Sequence, residues 1–111
     1  MQLTKQVLIF VNKKFGNGYL INSPSLEFAL QKESSRVFGS LPEIMRALLV
    51  DHCFEDGNKR TAAFLLISFF ENNRIPVNPE RVVKTIREIA MKSPTSTEKI
   101  RSMIKYAARN R

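Results

Sequence analysis

Nine consecutive residues, Ala62 to Phe70, are apolar at every position but Ser68. The run is far shorter than the ~20 residues a bilayer span needs. It reads instead as a helix buried on most sides, with the rest of the chain packed around it. The stretch just before it is opposite in character. From His52 to Arg60 the chain sets an imidazole, two carboxylates, a glycine, an amide and two cations into nine residues. A polar turn is thus expected on the front end of a core helix.

The helical pattern extends along the whole chain. Leu3, Val7, Phe10, Val11 and Phe15 recur at helical spacing and predict a helix over 2–15, with Lys5, Asn12 and Lys13 off the stripe. Gly16-Asn17-Gly18 breaks it, and 19–22 reads as a short extended arm. Ser23-Pro24 opens a second helix, Ser as cap and Pro at the first position, which fades by 34–35. Ser40 to Glu43 forms a capping box before a third, with Ile44, Met45, Leu48 and Leu49. The core helix runs from about Asn58 to Asn72. Asn78-Pro79 caps a fifth, with Val82, Val83, Ile86, Ile89 and Ala90 on one side. Thr95 to Glu98 is a second capping box, before a helix holding Ile100, Met103, Ile104 and Ala107. The expectation is an all-α, compact bundle of about six helices around a buried central helix, with a small extended flap, as a single domain over 1–111.

A chain of 111 residues buries about two thirds of its unfolded surface and needs no disulfide or metal staple. Its one cysteine, Cys53, excludes an intrachain disulfide and fits a reducing cytoplasm. The N-terminal residues lack the apolar run and cleavage site of a secretory signal, so a cytoplasmic protein with no membrane segment is expected. The net charge is +8, and from Arg81 to Arg111 nine Lys/Arg stand against Glu88 and Glu98. Nucleic acid, a ribosome-like surface or an acidic protein would each suit such a tail. A solvated helical face explains it more simply, and Tyr106 alone interleaves with the cations, so nucleic acid is not favoured as partner.

The turn at 52–60 carries the chemistry. Gly57 lets the backbone bend tightly and approach a ligand. The amides from Asn58 onward are the unpaired donors of a helix N-terminus, a natural anion site. Lys59 and Arg60 add two cations, and arginine grips two phosphate oxygens at once. Asp56 offers an oxygen ligand beside them, in the manner of magnesium held by a carboxylate and phosphate oxygens. His52, the only histidine, is the candidate base. Together these groups suit phosphoryl or nucleotidyl transfer. Each has a plainer reading too. His52 could close the preceding helix, Asp56 could cap the next one, Lys59 and Arg60 could be surface charges, and Cys53 could be inert. The common phosphate-loop and dinucleotide-binding glycine patterns are absent.

The string His52-Cys53-Phe54-Glu55-Asp56-Gly57-Asn58-Lys59-Arg60 resembles the Fic/Doc signature, His-x-Phe-x-Asp/Glu-Gly/Ala-Asn-Gly/Lys-Arg, at all seven of its constrained positions. The resemblance implies an all-α core, His52 as general base toward a target hydroxyl, and Phe54 as the loop's anchor. It implies Asp56 holding Mg²⁺, Gly57, Asn58 and Lys59 as anion hole, and Arg60 on the phosphates of ATP or another nucleoside triphosphate. The arm at 16–22 would be the flap that docks a target protein. Lys59, where the AMP-transferring branch has glycine, and Ala63, where it has a second arginine, are instead like the Doc (death-on-curing) toxin branch. That branch implies phosphoryl transfer, with AMP transfer the alternative. No inhibitory string of the form Ser/Thr-x-x-x-Glu-Gly/Asn occurs, so restraint by a separate antitoxin chain is expected. A non-catalytic basic binding module is the remaining alternative.

Overall fold

The computed structural model describes residues 3–31 and 38–108. Among them are six α-helices and no strands: α1 (Lys5–Asn12), α2 (Ser23–Gln31), α3 (Leu41–Leu49), α4 (Asn58–Asn72), α5 (Pro79–Lys92) and α6 (Thr97–Ala107). The radius of gyration, 12.7 Å, is that of a compact globule of this length. The expected fading of the second helix at 34–35 lies outside the described residues.

α1 is shorter than its pattern. Thr4 caps it, its hydroxyl accepting the Val7 amide at 3.2 Å, and residues 13–15 are a turn. Its buried face is also rotated from the expected stripe, taking in Leu8, Val11 and Asn12. Phe10 is 64 % exposed. Its ring lies outside with that of Phe64, and the Lys14 ammonium sits 5.3 Å from one and 5.7 Å from the other. A cation over two ring faces stabilises aromatics left at the surface.

The expected caps move in three places. Asn22, not Ser23, accepts the Ser25 amide at the start of α2, at 3.4 Å. Ser40 precedes α3 with no side-chain capping bond, and Glu43 lies 3.9 Å from the buried Arg101 of α6 instead. At α6 the cap is Ser96, one residue past Thr95, the expected head of the box. The fifth helix starts as its sequence predicts, Asn78 accepting the Arg81 amide at 3.2 Å before Pro79. Val83, expected inside, is 41 % exposed.

α4 has the bounds its sequence predicts and packs on α1, α3 and α5. It buries one face, through Thr61, Ala62, Leu65, Leu66 and Phe70, while Phe64 reaches solvent. α3 is sunk deeper. Seven of its nine residues are buried, because α2, α4, α5 and α6 all pack on it. What α4 contributes to the site is direction: its N-terminus opens at the surface, beside the end of α3.

Candidate functional site

The polar turn begins where α3 stops. The Asp51 amide donates to the Arg46 carbonyl at 3.0 Å and the Cys53 amide to the Ala47 carbonyl at 3.0 Å, folding the chain back over the helix end. Between them His52 takes a left-handed backbone, φ 49, and stands exposed. Cys53 and Phe54 turn inward and are fully buried, so Phe54 anchors the loop in the core. Burial, with Asp51 nearby, pushes the Cys53 thiol up to about 12, which removes it as a nucleophile.

Glu55 and Asp56 return to solvent, and Gly57, at φ 76, starts α4. Asn58 folds back on Phe54: its Oδ1 accepts the Phe54 amide at 3.1 Å and its Nδ2 donates to the Phe54 carbonyl at 2.8 Å. The Asn58 side chain is therefore committed to shaping the loop. What it offers a ligand is its backbone N–H. The first intrahelical bond runs from the Thr61 amide to the Gly57 carbonyl, at 2.9 Å. The amides of Asn58, Lys59 and Arg60 precede it and point out of the helix end.

These parts share one open depression of about 270 Å³, lined by His52, Glu55, Asp56, Gly57, Asn58, Lys59 and Arg60. Of the residues singled out from the sequence, His52, Asp56, Gly57, Asn58, Lys59 and Arg60 line it, and the buried Cys53 and Phe54 do not. Lys59 and Arg60 are exposed and set two cations at the positive end of α4. Asp56 Oδ1 accepts the Gly57 amide at 2.8 Å, which fixes the carboxylate against the loop. No group of three or more His, Cys, Asp or Glu side chains placed to hold a metal ion by themselves occurs among the described residues. A cation here would take Asp56 and complete its shell with ligand oxygens and water, the manner in which magnesium meets phosphates.

The arm after α1 lies along this loop. Leu20 forms an antiparallel bridge with Phe54. The Glu55 amide donates to the Tyr19 carbonyl and the Ile21 amide to the Cys53 carbonyl, each at 2.8 Å. The expected flap is thus an extended segment with one bridge. Tyr19 and Ile21 on it are 65 % and 59 % exposed.

Sequence reasoning missed Asn12. Placed off the apolar stripe, it is in fact fully buried, the last residue of α1. Its Nδ2 donates to the Asp56 carbonyl at 2.9 Å and to Thr61 Oγ1 at 3.0 Å, and its Oδ1 accepts the Gly18 amide at 2.9 Å. The available signal was a polar residue flanked by Val11 and two glycines a few positions on. No family model matches this chain, and neither a curated protein nor a solved structure matches it.

Proposed function

We propose that this chain is a Doc-like toxin of a toxin–antitoxin pair, which transfers a phosphoryl group from a nucleoside triphosphate to a hydroxyl of a target protein. One observation carries the reading: an imidazole, two carboxylates, three outward amides and two cations line one depression, with an extended arm beside it. The His52 imidazole takes the proton of the target hydroxyl. The hydroxyl oxygen then bonds to the γ-phosphorus, the bond to the β–γ bridging oxygen breaks, and a nucleoside diphosphate leaves. The amides of Asn58, Lys59 and Arg60, with the Arg60 guanidinium, receive the phosphate charge, in a geometry set before the ligand arrives. Asp56 would hold Mg²⁺, which when bound supplies a counter-charge to the phosphates.

The arm supports a protein target. An extended segment with exposed Tyr19 and Ile21 can pair backbone to backbone with another extended chain. Lys59 and Ala63 favour phosphoryl over AMP transfer, as the sequence resemblance implies. The acid-poor, basic surface suits an acidic antitoxin segment as restraint. No described helix is long and apolar enough to cross a membrane.

The test is intact-mass analysis of bacterial extract proteins after incubation with this protein, Mg²⁺ and ATP. A gain of about 80 Da on one protein is expected. His52→Ala should slow it about a thousandfold. A gain of about 329 Da would establish AMP transfer instead. No gain on any protein, with steeply salt-dependent nucleic-acid binding, would leave the basic binding module.

A further inference from the structure

We infer that Asn12 is a positioning residue that couples the extended arm to the phosphate-facing loop, so that order in one enforces order in the other. The functional side of this inference rests on the reading of the depression given above; the mechanical side does not. Asn12 sits where the base of the arm meets the loop and the start of α4, more than forty positions away along the chain. Its Oδ1 holds the base of the arm, through the Gly18 amide. Its Nδ2 holds the loop through the Asp56 carbonyl and the first turn of α4 through Thr61 Oγ1. Asn12 and Thr61 are both fully buried, so water cannot replace either partner cheaply.

The backbone around this node has no slack. A Cβ on Gly16 would lie 2.5 Å from the Asp56 carbonyl oxygen. A Cβ on Gly57 would lie 2.8 Å from the Phe15 carbonyl carbon and oxygen and 2.9 Å from the Gly16 nitrogen. Residues 15–16 therefore rest directly on 56–57, main chain on main chain. Movement of the arm's base cannot be absorbed by side-chain rearrangement at this contact. It passes to the peptide of Asp56, whose carboxylate faces the depression. A chain paired along 19–22 stiffens the arm, and a ligand in the depression stiffens the loop. Linkage requires that each then favour the other. An aliphatic residue at 12 would fill the space. It would leave the Gly18 amide and the Asp56 carbonyl orphaned and the two segments free to open separately.

Amide hydrogen exchange read by mass spectrometry tests this on the whole protein, without ligand and with Mg²⁺·ATP. In Asn12→Ala without ligand, exchange over 17–22 and 53–58 should speed up together, at least tenfold more than over α5 and α6. Thr61→Val keeps the shape and removes one of the three bonds, so it should reproduce a weaker form even if Asn12→Ala folds poorly. With Mg²⁺·ATP, the wild type should gain protection in both segments, and Asn12→Ala in 53–58 alone. The inference is overturned if the variants speed exchange in one segment only, or in step with α5 and α6. Equal protection of the arm by Mg²⁺·ATP in wild type and Asn12→Ala overturns it as well. If Mg²⁺·ATP protects nothing in the wild type, the phosphoryl-transfer reading fails, and the ligand-free comparison alone decides the coupling.

Discussion

The junction of α1 with the loop and α4 is built differently from the junction of α5 with α6. In the second, apolar side chains meet: Val82, Ile86 and Ile89 on one helix, Ile100, Ile104 and Ala107 on the other, all buried. Side-chain volume fixes that contact, and residues of similar volume can share the task. In the first, main chain meets main chain at Gly16 and Gly57, and a buried amide, Asn12, joins the parts. Position fixes that contact, and no other side chain offers the same set of donors and acceptor at that length. A region held by volume gives way gradually. A region held by position keeps its geometry or loses it, which is what the proposed phosphate site would need.

The sharpest separation should come from two truncating or inserting changes. Ile104→Ala should cost about 4 kcal/mol, the range for a buried isoleucine cut to a methyl. Urea denaturation should show it as a lower midpoint with unchanged slope, and ligand affinity at the depression should be unaltered. Gly57→Ala should cost about 3 kcal/mol through left-handed strain and the close Phe15 backbone. Here Mg²⁺·ATP affinity, measured by calorimetry, should fall far more than the stability loss alone dictates. If both variants lost affinity in proportion to stability, the distinction between the junctions would disappear.

A further effect is confined to alkaline pH, and at neutral pH it cannot be seen. The folded Cys53 thiol keeps its proton to about 12, whereas its ordinary value is 9.0. Its contribution to stability is therefore complete below pH 9 and lost as pH rises toward 12, with a slope of at most about 1.4 kcal/mol per pH unit. Cys53→Ala should reduce the alkaline slope by up to one proton. An unchanged slope would mean that Cys53 is not held in a dry site beneath the loop.

What the sequence made legible follows the same division. Helices α4, α5 and α6 are readable because volume-driven packing leaves a periodic trace, and the polar turn that lines the depression because its residues are consecutive. Phe10 and Asn12 exchange their expected places because periodicity records polarity, not the bonds a buried amide can make across the fold. Ser40 heads a capping box in sequence and makes no capping bond, because Glu43 is drawn to Arg101, in the last helix, a pairing no local pattern contains. Arg101 likewise reads as part of a solvated basic tail and is 7 % exposed.

The left-handed backbone at His52 has a consequence for anyone evolving this protein. Glycine occupies that conformation without penalty, and asparagine at less cost than histidine. Selection for heat resistance alone should therefore enrich Gly or Asn at position 52, yielding sturdier proteins without the imidazole that the proposed phosphoryl transfer relies on. The chain as it stands has accepted a less comfortable fold at the one histidine it possesses.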